Sequence, residues 1–145
     1  PYCVSTAGEV ASTQFPSGSD GTPVSLFLKP DGTKLYILGQ SADQITQLSL
    51  TTANDSTTIS FDKNFSIGGQ EITPRALFFK DDGTKLYVVG IAGDDVNEYD
   101  LSTAWDVGTA SFTQTKLISA QTITKRRESL ARRHLPAFAA LQQIA

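Results

Sequence analysis

Apolar residues in this chain come in short bursts rather than helical stripes. Leu86-Tyr87-Val88-Val89 is a compact apolar run within Lys85–Gly90, whereas Val96–Leu101 alternates apolar with polar residues. The first pattern suits a buried strand and the second a half-buried one. Arg75–Phe79 is another apolar-rich run, ending at Lys80-Asp81-Asp82-Gly83, a hairpin turn in which Gly supplies a positive φ. Ala92-Gly93-Asp94-Asp95 turns the chain again. After the loop 102–109 a fourth run, Ser111–Ile118, is anchored by Phe112 and Leu117. The same order occurs upstream at 24–28, 34–39, 45–50 and 60–67, with Lys29-Pro30-Asp31-Gly32 at its first turn.

The two series are copies. Asp-Gly-Thr-Lys-Leu-Tyr stands at 31–36 and again at 82–87, and residues 22–61 align with 73–112 without a gap, identical at 20 of 40 positions. Four short strands per 51-residue unit, with no helical period between them, predict a β-propeller blade rather than a βαβ unit. The predicted fold is therefore all-β, with blade repeats at about 22–72 and 73–123 within a repeat region 1–124. The segment 9–16 lies one period before 60–67 and predicts a stray outer strand. Asp55 and Asp106, shared by both copies in the loop before the outer strand, are expected to hydrogen-bond local backbone amides.

The remaining segment, 125–145, is foreign to the repeat. It is rich in Ala, Leu, Arg and Gln, which favour a short helical tail interrupted at Pro136. Five basic residues against one acid give this tail +4, leaving −7 on the other 124 residues. An acidic body of that kind predicts no nucleic-acid partner, because phosphate binding needs a basic stripe or patch. No apolar run approaches the roughly 18 to 20 residues that span a bilayer. Cys3 is the single cysteine and cannot form an intrachain disulfide.

The stretch 73–104, TPRALFFKDDGTKLYVVGIAGDDVNEYDLSTA, resembles the YVTN-type β-propeller repeat. The matching positions are Pro74, Asp82 to Val88, Val96 and Tyr99-Asp100-Leu101-Ser102-Thr103; the first copy departs with Ile37-Leu38 and with Ser49 in place of Asp100. The longer unit is similar to propeller repeats of marine bacterial and phage surface or tail proteins, over about residues 9–124. The resemblance implies a surface or binding protein located outside the cell, at the cell surface or on a virion.

Candidate chemistry is sparse. His134, the one histidine, lies among tail arginines, and one Cys with one His is no zinc ligand set. Asp94-Asp95 with Asn97, and Asp81-Asp82, offer oxygen ligands, but neither follows a spaced calcium loop, and Asp is a common turn former. No metal or cofactor is predicted. On the plan of a propeller, Gly68–Pro74, Gln40–Asp43 and Ile91–Asp94 share one face, and Arg75, where the first copy has Val24, starts an inner strand and could point an anion-binding group into the channel. On the opposite face Trp105 replaces Asn54, either as an interface or sugar-stacking anchor or as packing over the sheet edge. The candidate ligand residues are thus Gln40, Asp43, Arg75, Asp94, Asp95 and Trp105.

Two blades do not close a ring of about 4 to 8. The expected partners are copies of the chain itself, a trimer being favoured over a dimer or tetramer, with segment 9–16 completing a neighbour's edge; a surface glycan or other surface or virion proteins are further candidates. The expected function is a non-enzymatic structural and binding module. A lectin-like propeller is the alternative, and a propeller hydrolase the remote one, since Pro23–Leu28 and Pro74–Phe79 supply no inward ligands for a channel metal.

Overall fold

A computed structural model of the chain describes residues 16–118. The expected outer strand over 9–16, apart from Pro16, and the expected helical tail over 125–145 lie outside the described residues, as do Cys3 and His134. Eight strands make two antiparallel four-stranded sheets, each a meander in sequence order. Blade 1 contains β1 (Pro23–Leu28), β2 (Lys34–Gly39), β3 (Gln44–Leu50) and β4 (Ile59–Ser66); blade 2 contains β5 (Pro74–Phe79), β6 (Lys85–Gly90), β7 (Asp95–Leu101) and β8 (Ala110–Leu117). This is the all-β propeller-blade architecture predicted from the repeat, with strand ends shifted by a residue at most. Even the irregularities recur: pairing slips between Pro23 and Ser25 and between Pro74 and Ala76, and again at Gln47/Leu48 and Glu98/Tyr99.

Local chemistry explains why both copies fold alike. Gly32 and Gly83 adopt φ of +73° and +70° at the first hairpin, a region open to glycine without a side-chain clash. Asp31 Oδ1 accepts from the Thr33 N–H at 3.0 Å and Asp82 Oδ1 from the Thr84 N–H at 3.0 Å. The Lys29 ammonium lies 2.6 Å from Asp31, and Lys80 lies 2.6 Å from Asp82. The lysine, followed by the threonine, draws the Asp31 carboxyl down to about 2 and lowers that of Asp82 as well. Short 3₁₀ turns at Ser56–Thr58 and Val107–Thr109 precede the outer strands, capped by Asp55, which accepts from the Thr57 N–H, and Asp106, which accepts from Gly108.

The blades pack face to face. Phe27 and Tyr36 of blade 1 meet Phe79 and Trp105 of blade 2, with ring centroids from 4.3 to 6.1 Å apart across the joint. Buried Leu38, Ile45, Leu77, Leu86, Val88 and Tyr99 extend the same core. Polar bonds frame it: the Tyr36 hydroxyl donates to the Trp105 carbonyl at 2.7 Å, and the Val107 N–H donates to Gln47 Oε1 at 2.9 Å. Lys63 spans the joint to Asp106 at 2.8 Å.

Candidate functional site

The end of the sheets where β1 and β5 begin gathers most of the candidate residues, and it does so through tight loops. Asp43 and Asp94 close the β2–β3 and β6–β7 loops with φ of +48° and +50°; a short side chain that can bond locally tolerates this left-handed backbone. Their carbonyls accept from the Ile67 and Ile118 N–H groups at 2.8 and 2.9 Å, tying each loop to the end of its outer strand. Asp43 lies against Gly68 of the connection between the blades, and its Oδ1 is buried without a partner. Asp94 is exposed, whereas Asp95 is buried and accepts from the Asn97 side-chain amide at 2.9 Å.

Arg75 is exposed at the start of β5 and donates across the joint to Gln40 Oε1 at 2.9 Å. That amide oxygen and the Pro74 carbonyl, 3.5 Å away, leave donors of the guanidinium fork available. The Gln40 N–H donates to the Thr22 carbonyl at 3.0 Å, and the Thr22 and Ser41 hydroxyls are bonded at 2.8 Å. A rigid, permanently charged fork held by a neutral amide can take a carboxylate, a phosphate or a developing oxyanion in bidentate fashion.

Trp105 lies at the opposite end. It takes φ +66°, the same left-handed corner as Asn54 at +63° in blade 1. A Cβ on Gly83 would overlap its ring, which stacks near Phe79 and Phe27 at 5.4 and 6.1 Å. The half-buried ring thus packs in the joint between the blades. Lys29 stands 5.8 Å above the ring.

Two buried carboxylates at this end of the sheets escape a reading of the sequence alone. Asp20 is buried and accepts from the N–H groups of Thr22, Ser41 and Ala42 at 2.8, 3.2 and 2.7 Å. Its counterpart 51 positions later, Glu71, has no exposure and accepts from Thr73 and Ala92 at 2.6 and 3.3 Å. Each staples the start of an inner strand to the following loop and lies where a Cβ on Gly39 or Gly90 would be. The signal is an acid two residues before each Thr-Pro. Among the described residues no group of three or more His, Cys, Asp or Glu stands ready to hold a metal, and no helix is long and apolar enough to cross a membrane.

No protein-family model matches the chain, and no curated protein matches it by sequence. Solved structures do match its fold. A structure named as a candidate 6-phosphogluconolactonase from Bacteroides uniformis is 19% identical, with TM-score 0.51, over 66% of this chain and 26% of that one. The periplasmic gluconolactonase of Pseudomonas aeruginosa is 20% identical, with TM-score 0.50, over 71% and 27%. A protein of unknown function from Desulfotomaculum acetoxidans is 19% identical, with TM-score 0.50, over 70% and 30%. The chain thus spans between a quarter and a third of the structures it matches. At this identity the likeness shows a shared β-propeller fold. It also corrects the expected function. The expectation of a non-enzymatic module does not stand, since two of the matched structures carry lactonase names.

Proposed function

We propose that this chain forms two adjacent blades of a propeller hydrolase acting on a sugar-acid lactone, with Arg75 as its anion-binding group. Exposed Arg75, held by Gln40 across the blade joint, carries the reading. Lactone hydrolysis adds water to the acyl carbon, breaks the ring C–O bond and leaves a carboxylate, a hydroxyl and a proton. Charge builds first on the carbonyl oxygen and ends on the carboxylate. A guanidinium fixed beside that path lowers the barrier by meeting the charge where it develops. Gln40 keeps the fork oriented without neutralising it. The likeness to a periplasmic lactonase supports a site of action outside the cytoplasm.

The test follows base uptake at constant pH with gluconolactone and its 6-phosphate as substrates, beside NMR titration of the Arg75 Nε–H with the product acids. Turnover above the spontaneous rate is expected, with kcat/KM lowered at least about tenfold in Arg75→Ala and partly kept in Arg75→Lys. A chain that neither speeds hydrolysis nor shows a response of Arg75 to either acid overturns the reading.

A further inference from the structure

Blade 2 carries a pair of buried carboxylates that blade 1 lacks. Glu71 has no exposure and Asp95 is 6% exposed, whereas one period earlier stand Asp20 and the neutral amide Gln44. Two observations place the pair side by side. Asp95 is the cross-strand partner of Gly90, and a Cβ on Gly90 would overlap Glu71 Oε2; such partners hold their Cβ positions about 4.5–5.5 Å apart. Consecutive residues of one turn touch both acids: the Ala92 N–H donates to Glu71 Oε1 at 3.3 Å, and a Cβ on Gly93 would overlap Asp95 Oδ2.

The compensation found in blade 1 is missing here. Asp20 has both oxygens occupied by backbone N–H groups. Glu71 uses Oε1 alone, and Oε2 is buried without accepting any bond. Neither Glu71 nor Asp95 joins an ion pair among the described residues. A buried carboxyl oxygen that accepts no bond is costly unless a partner meets it. Asn97, itself held by the Thr115 hydroxyl at 2.7 Å, fixes the orientation of Asp95.

We propose that Glu71 Oε2 and the Asp95 carboxylate form a binding site for a hard divalent cation, Ca²⁺ fitting it best. The donors are carboxylate oxygens, one in the connection between the blades and one at the start of β7, a set that suits the irregular coordination Ca²⁺ accepts and Mg²⁺ does not. With two carboxylates rather than three or four, the expected Kd is about 10⁻⁴ to 10⁻³ M. The cation would clamp the connection between the blades to the β6–β7 turn.

The chain, stripped with EGTA, is titrated with CaCl₂ by calorimetry and by thermal unfolding. One Ca²⁺ per chain is expected, with Tm raised by roughly 5 °C at saturating metal. Glu71→Gln and Asp95→Asn, both close in shape to the native residue, each lose the response, while Asp31→Asn at the exposed hairpin keeps it. The proposal is overturned if the native chain shows neither heat nor a Tm shift, if either carboxamide variant responds as the native chain does, or if Mg²⁺ and Na⁺ match Ca²⁺. Should a variant fail to fold, titration of the native chain still decides.

Discussion

The two blades share a backbone down to their pairing slips, yet equivalent residues live in different surroundings. Leu26 is 66% exposed and its counterpart Leu77 only 7%; Phe27 is packed in the joint while Phe78 is 57% exposed. Each blade therefore has two unlike faces, and the joint brings the Phe27 face of one against the Leu77 face of the next. Divergent positions cluster there: Trp105 for Asn54, Arg75 for Val24, Gln114 for Lys63 and Glu98 for Gln47. Identical positions, such as Asp31/Asp82, Gly32/Gly83 and Asp55/Asp106, serve turns within a blade. What is common builds the blade and, through Phe27, Tyr36 and Leu77, the core of the joint; what differs adjusts that joint.

The strongest way to break this contrast is to cut the same side chain position in both copies. Phe79→Ala should cost about 3–5 kcal/mol, because the ring is fully buried among three aromatic neighbours. Leu28→Ala, its counterpart at 41% exposure, should cost about 1 kcal/mol or less, since little burial is lost there. Urea unfolding measures both, and equal losses would show that the joint is not where the energy lies. Next comes Trp105→Asn, which gives blade 2 the corner of blade 1. It removes the stacked ring but relieves a bulky residue at φ +66°, so a net loss of about 2 kcal/mol is expected, less than removing a Trp usually costs. A gain in stability would mean that backbone strain outweighs the stacking.

A smaller effect sharpens the likeness rather than the difference. Asp31 and Asp82 have folded-state carboxyls held below their ordinary value. Their contribution is thus present above about pH 4 and lost as pH falls towards 2. Asp31→Asn and Asp82→Asn should flatten that acid limb to the same small extent, and high salt should reduce the effect for these exposed groups. A limb altered by only one of the variants would show that the hairpins are not equivalent. Smallest of all is the Lys63–Asp106 pair: a double-mutant cycle with Lys63→Gln and Asp106→Asn should give a weak coupling that fades in 1 M salt.

Much of the blade is legible in the chain because its rules are local. An Asp-Gly turn, alternation in β7 and a repeated Phe at 61 and 112 each state their own role. The joint is not local. Both faces of a blade are apolar, so alternation along β1 and β5 does not say whether Leu26 or Phe27 points to the neighbour. Trp105 in a loop reads as readily for a ligand platform as for packing, until Gly83 and Phe79 are seen beneath it. Glu71 and Asp20 fall just ahead of the aligned block and differ in length, and only the bare glycines opposite them show what they do. Arg75 and Gln40 are 35 residues apart and meet only because the blades stack.

The unlike faces of the blade give the fold a direction. A unit whose front fits the back of its predecessor can be appended in one sense only, as a link is added to a chain. An in-frame duplication of 51 residues therefore delivers a part that already fits, and later substitutions at its faces alone decide which neighbour it prefers. Rings of different size can arise by this route without any blade being redesigned from within.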